Sequence, residues 1–229
     1  MTPSVAHQRL LTRFGPQGWW PISGRYRRGR YKPPIPRHAF EICVGAVLTQ
    51  NTAWTNVERA LESLTLTQNL TPLALRSMPS RKLEQHIRPS GYFVQKAKKL
   101  KILARWAGIW TETIERLRKA PLTEMREELL ELWGVGPETA DSILLYAGGR
   151  NAFVVDTYTK RVGSRIGWFH SRASYDEVQA FFTSSLPASP KRYNEAHALF
   201  VRLAKEHCRT TPSCVKCPLR SGCKMGRAS

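Results

Sequence analysis

The sequence is short of acid. Its 229 residues carry 17 Asp and Glu against 36 Lys and Arg, a formal net charge of +19. A surplus that large repels itself, so the partner it implies is a polyanion: nucleic acid first, an acidic membrane surface second. Long apolar runs are missing too. None reaches the ~18 residues that a membrane-spanning helix needs. The opening "MTPSVAHQRLLTRFGPQGWW" has neither the apolar core nor the small-residue cleavage site of a signal peptide. The expectation is an intracellular protein, cytoplasmic and nucleoid-associated, with no membrane contact. Polar–apolar alternation, the mark of half-buried strands, is nearly absent. Cysteine is scarce until the tail: of five, four fall in the last 22 residues, in "CRTTPSCVKCPLRSGC". An intracellular chain does not use such thiols as disulfides, which points to a metal site.

What remains is helical in pattern. Hydrophobic residues make up 41% of the chain, enough for a globular core in one or two compact domains. A short helix is expected over 8–14. The Gly-, Pro- and Arg-rich loop "GPQGWWPISGRYRRGRYKPPIPR" follows, with its basic run at 24–32. From His38 the spacing of apolar residues by three and four predicts helices in "HAFEICVGAVLTQ" and "NVERALESL". Thr71, Ser80 and Thr123 are expected N-caps. "QKAKKLKILARWAGIW" is expected to be one long amphipathic helix with a lysine-rich face, and the fold class is all-α. Cys43, on an apolar helix, is expected in the core.

The stretch "LWGVGPETADSILLYAGGRNAFVVDTYTKR" concentrates the chemistry. Two helical patterns flank a Gly-Val-Gly turn, and such a turn backed by a helix dipole suits a DNA phosphate, although the same residues also suit an ordinary αα-turn. After it comes Asp156 on an apolar segment, with Thr157 as the expected cap of the next helix. A carboxylate at that place either caps a helix or does chemistry.

These segments resemble the helix-hairpin-helix DNA glycosylases of the endonuclease III superfamily, over almost the entire chain. "GAVLTQNTAWTNVERAL", "RPSGYFVQKAKKL" and the cysteine tail belong to the same likeness. The resemblance implies a glycosylase that flips a damaged base out of double-stranded DNA, acting as a monomer, with Asp156 as the essential carboxylate. Gly134, Val135, Gly136 and Thr139 would hold the backbone, with Lys160 at most a phosphate contact. Gln50, next to Asn51, resembles the residue that fills the hole left by the extruded base. Bifunctional members carry a lysine where this chain has Glu138. A glutamate cannot form a Schiff base, so the implied enzyme uses water and has little or no lyase activity.

The "GWWP" and "QNTAW" segments resemble those of the superfamily's 3-methyladenine glycosylases. Trp54, with Trp19 or Trp20, would sandwich a cationic methylated purine, a cation–π gain of about 0.5–2 kcal/mol, and Glu138 would receive its charge. Cys208, Cys214, Cys217 and Cys223 are spaced x5, x2, x5. Spacing alone admits zinc; the family likeness favours a [4Fe–4S] cluster, its loop offering Lys216, Arg220 and Lys224 to phosphates. Two domains are expected: a helical barrel at 32–149, and 1–31 with 150–229 carrying the cluster loop at 208–223, with DNA in the cleft. The rival readings are an endonuclease III-like oxidised-pyrimidine glycosylase with lyase activity, and a non-catalytic binder of damaged DNA.

Overall fold

The computed structural model describes residues 1–228. Among them the secondary structure is helical, with no strand beyond an isolated antiparallel bridge between Ile22 and Arg25. The helices are α1 (Pro3–Phe14), α2 (Pro36–Leu48), α3 (Trp54–Leu66), α4 (Pro72–Ser77) and α5 (Ser80–Ile87). Next come α6 (Phe93–Ala107), α7 (Trp110–Lys119), α8 (Leu122–Leu130) and α9 (Pro137–Ser142), the last running on as a π-helical turn, Ile143–Ala147. The chain closes with α10 (Thr157–Ile166), α11 (Tyr175–Ser185), α12 (Pro190–Glu206) and α13 (Lys224–Arg227).

Local signals account for most boundaries, and some departures have clear causes. Thr71 caps α4, accepting from the Ala74 N–H at 3.2 Å, with Pro72 in the first turn. Ser80 and Thr123 do not cap: they lie inside helices whose N-caps are Pro79 and Pro121. The extended backbone of Pro79 and Pro121, with φ fixed near −50 to −55°, sets the boundary at the proline, and these two caps carry no side-chain hydrogen bond. The helix expected over 8–14 starts at Pro3, behind Thr2, because Ala6 and Leu10 continue its buried face. The long lysine-rich helix ends at Ala107. Gly108 turns left-handed (φ 46°) and a separate helix, α7, begins at Trp110.

The chain divides into two units. The first comprises Met1–Trp19, Arg27–Tyr31 and the chain from Asn151 onward. Its core is aromatic: Phe153 stacks on Phe182 with centroids 4.4 Å apart, and Tyr193 of α12 meets Phe153 edge-on. Buried Glu195 accepts the Gln17 N–H at 3.0 Å, tying the segment after α1 to α12.

The second unit comprises Trp20–Tyr26 and Lys32–Arg150. At its centre is α2, buried at every position from Ala39 to Leu48, as an all-round apolar helix must be. Its one carboxylate, Glu41, takes the Ser23 N–H and hydroxyl. Buried Lys96 of α6 donates to the Leu48 and Ser90 carbonyls at 2.8 and 2.7 Å, closing the C-terminal end of α2. Burial, with Lys99 nearby, pulls its ammonium down to about 8. The segment Trp20–Tyr26, assigned from sequence to the other domain, packs here because α2 provides a seat. A Cβ on Gly45 would stand 3.0 Å from the Trp20 indole, tighter than ordinary contact, so glycine gives the ring its room.

Candidate functional site

In the first unit Asp156, not Thr157, is the N-cap of α10; its Oδ1 accepts the Thr159 N–H at 2.6 Å. Oδ2 lies 3.5 Å from Nε2 of His197 on α12, with the two side chains 11% and 10% exposed. Burial works against ionisation of this carboxyl. The imidazole and the Thr159 donors outweigh it, and the group is held below the ordinary aspartate value. The carboxylate is therefore charged, nearly dry and oriented, which are the properties needed to stabilise positive charge on a sugar or to hold a water. His197 was not legible as a site residue. Its only signal was a histidine on the buried face of α12.

Lys160 does not reach outward as a phosphate contact here; its ammonium donates to the Ala173 carbonyl at 2.8 Å. Its neighbours on α10 serve the tail. Arg161 donates to the Cys208 carbonyl at 2.7 Å, and Arg165 to the Arg209 and Thr210 carbonyls. The helix that begins at Asp156 thus also holds the start of the cysteine loop.

In the second unit the hairpin joins α8 to α9. Gly134 has φ +85°, and a Cβ there would also run into the Lys99 side chain, so two constraints demand glycine. Val135 does not offer its N–H outward: it is buried, and the N–H bonds to the Leu132 carbonyl at 2.9 Å. Gly136 is the N-cap of α9, and Glu138 is exposed in the first turn. Buried Thr139 turns inward. Behind the hairpin, Arg126 of α8 grips fully buried Asp141 of α9 through Nε and Nη2, at 3.0 and 3.3 Å. Trp133, 47% exposed, lies beneath the Lys98 ammonium, 4.2 Å from its ring centre.

Gln50 is anchored on this hairpin. Its amide donates to the Gly134 carbonyl and to the Thr139 hydroxyl, both at 3.0 Å, and its oxygen accepts from Lys99. In this state it is not extended for insertion into a duplex. Next to it, exposed Asn51 adopts a left-handed conformation, φ 53°.

The aromatic residues gather around Trp54 at the start of α3. Trp20 meets it edge-on at 5.1 Å, and Tyr146 from the π-helical turn lies 5.3 Å from Trp20. Tyr26 is electrostatically coupled to this cluster: burial and the Glu58 carboxylate push its phenol up, and the Trp54 indole works against them. Trp20 is buried and Trp54 half-buried, while Trp19 belongs to the first unit, also half-buried. Tyr26 and Tyr146 were missed in the sequence because neither lies near Trp54 along the chain.

Cys208, Cys214, Cys217 and Cys223 are all free thiols lining one apolar cavity under α10 and α12, with Ile166 and Leu203 among its walls. Among the described residues no three His, Cys, Asp or Glu side chains are already drawn into a metal-holding set. The donors nonetheless suit a thiophilic centre: burial raises the Cys217 thiol, and the other three cysteines raise it further. Such mutual resistance to ionisation is relieved when a cation takes the thiolates. Cys43 is in the core, as expected, its thiol pushed up by burial.

An all-helical fold with a Gly-Val-Gly hairpin, followed by a buried carboxylate at a helix cap, defines a class. Residues 44–188 match the HhH-GPD superfamily of base excision DNA repair proteins, and the chain belongs to it. It is a base-excision DNA glycosylase of that family. It is 41% identical to a protein of Methanocaldococcus jannaschii, provisionally named a DNA repair glycosylase, over 93% of this chain and 92% of that one. Identity to endonuclease III of Bacillus subtilis is 28%, over 84% of each chain. Among solved structures, an H. pylori 3-methyladenine DNA glycosylase bound to 1,N6-ethenoadenine aligns with TM-score 0.71. It is 26% identical, covering 90% of this chain and 98% of that one. A trapped endonuclease III–DNA covalent intermediate shares the fold, with TM-score 0.77 at 22% identity, covering 100% and 98%.

Proposed function

We propose that this glycosylase removes an alkylated purine, 3-methyladenine being the first candidate, from double-stranded DNA by hydrolysis and leaves an abasic site. The observation that carries the reading is the aromatic cluster of Trp20, Trp54 and Tyr146. Indole faces attract a cationic base, and a base that already carries positive charge departs with little acid catalysis. Asp156 stabilises the cation that develops on the sugar and orients the attacking water. The Gly134–Gly136 turn takes a backbone phosphate, a contact that positions without reading sequence. Exposed Glu138, where bifunctional relatives carry lysine, gives no Schiff base. Lyase activity is then weak or absent.

Cys208, Cys214, Cys217 and Cys223 are the residues that would hold a [4Fe–4S] cluster, which when bound would brace the tail loop. Arg161 and Arg165 hold the start of that loop against α10 whatever fills it.

The test is release of free base from methylated duplex DNA beside a duplex carrying an oxidised pyrimidine, each with and without later alkali. Release of 3-methyladenine, with strand breaks only after alkali, is the expected result. Direct nicking of the oxidised duplex would favour the second reading, an oxidised-pyrimidine glycosylase with lyase activity. The similarity to endonuclease III of B. subtilis is what keeps that reading in play.

A further inference from the structure

We propose that His197 is a positioning residue for base release, holding the plane of the Asp156 carboxylate from the neighbouring helix. The inference rests on the role given to Asp156 above.

A single cap contact does not orient a carboxylate. The terminal torsion of an aspartate is broad and roughly two-fold, so a bond from Oδ1 to one N–H leaves the other oxygen free to swing. The other side-chain caps of this chain raise no such question: Thr2, Thr71 and Ser174 each take a backbone N–H to a single hydroxyl oxygen and are exposed. Asp156 alone among these caps is nearly buried, and it has a second contact, to His197 Nε2 at 3.5 Å on Oδ2. The two contacts come from different directions, a hydrogen bond from the first turn of α10 on Oδ1 and the close approach of the α12 imidazole on Oδ2.

Much of the helix face around His197 is apolar. Its helix neighbours Tyr193, Ala196, Leu199 and Phe200 are all buried. An aliphatic side chain would fill that place at no polar cost, whereas a buried ring nitrogen is unfavourable unless paired. That the Asp156 carboxyl ionises more readily than usual in spite of its burial fits the same pairing.

Geometry makes the test specific. A glutamine amide reaches about as far as Nε2 of histidine, and an asparagine amide stops short. His197→Gln, His197→Asn, His197→Leu and Asp156→Asn would be compared with the unaltered chain. The readouts are single-turnover base release from a methylated duplex and from an oxidised-pyrimidine duplex, affinity for undamaged duplex, and thermal melting. In the expected result His197→Leu and His197→Asn slow base release about 100-fold, the scale of a 1 Å misplacement. Duplex affinity holds, and His197→Gln recovers most of the rate. Should the leucine variant not fold, the asparagine variant carries the comparison. A normal rate in His197→Asn overturns the inference, as does a parallel loss of rate, affinity and melting temperature in all three variants. Full base release by Asp156→Asn overturns the reading beneath it instead. So does an unaltered chain that releases base from neither duplex.

Discussion

Each unit contains one nearly buried aspartate, Asp141 inside α9 and Asp156 at the cap of α10, and the two are built differently. Asp141, behind the hairpin, is wholly buried and gripped by a guanidinium through two bonds. Arginine keeps its charge at any physiological pH and forks onto both carboxylate oxygens, so nothing is left over for a ligand. Asp156 keeps 11% of its side chain exposed and is held by one N–H and an imidazole 3.5 Å away. The imidazole offers one ring nitrogen to one oxygen, where the guanidinium forks onto both. Two carboxylates of similar burial therefore divide into a rivet and a tool. What separates them is the partner's chemistry and the sliver of access left, more than burial itself.

The comparison breaks most visibly at Asp156. Asp156→Asn is expected to lower base release by roughly 10²–10⁴-fold, the range of a positioned acid–base group, while thermal melting shows a folded protein. Asp141→Asn should instead lose stability and keep the chemistry of whatever remains folded. A similar rate loss in both would erase the distinction. Next in size is Arg126→Met, which takes the guanidinium away from the buried Asp141 charge. A cost of about 3–5 kcal/mol is expected, read from urea unfolding, and a shift well below 1 kcal/mol would mean that Asp141 is not a rivet.

Smaller effects sharpen the contrast. Trp54→Ala should weaken binding of a duplex with a methylated purine by about 1–3 kcal/mol, the scale of one base–aromatic stack. Affinity for undamaged duplex, measured in parallel, should change little. The smallest effect is acid sensitivity. The Asp156 carboxyl is held below its ordinary value in the folded state, so its contribution is present above the normal aspartate range. It is lost as pH falls through the lower, folded value. Unfolding free energy followed below about pH 5 should thus fall less steeply in Asp156→Asn than in the unaltered chain; identical slopes would mean that the group is not depressed.

Much of this arrangement was legible, and the gaps have a pattern. The apolar spacing in "HAFEICVGAVL" marks a helix because its periodicity is local. Gly134 and Gly136 announce a turn for the same reason, and Pro137 a helix start. Caps were harder: a hydroxyl near a boundary signals a helix start, but at Ser80 and Thr123 a preceding proline moved it. The break at Gly108 was lost inside a strong amphipathic pattern. Gln50 could be read as a polar residue after a helix, but not as one tied down by Gly134, Thr139 and Lys99 from 84, 89 and 49 residues away.

The sequence by itself determined that the chain is helical and basic, that four thiols share one loop, and that a hairpin precedes a carboxylate at a helix start. Each follows from composition or from spacings short enough for one helix or turn to enforce. Only the tertiary structure decided which partner each polar group takes: His197 for Asp156, Arg126 for Asp141, Tyr26 for Trp54, the Ala173 carbonyl for Lys160. Those partners lie 41, 15, 28 and 13 residues away. A buried polar group must find a partner when the core closes around it, but which one it meets depends on how the helices pack.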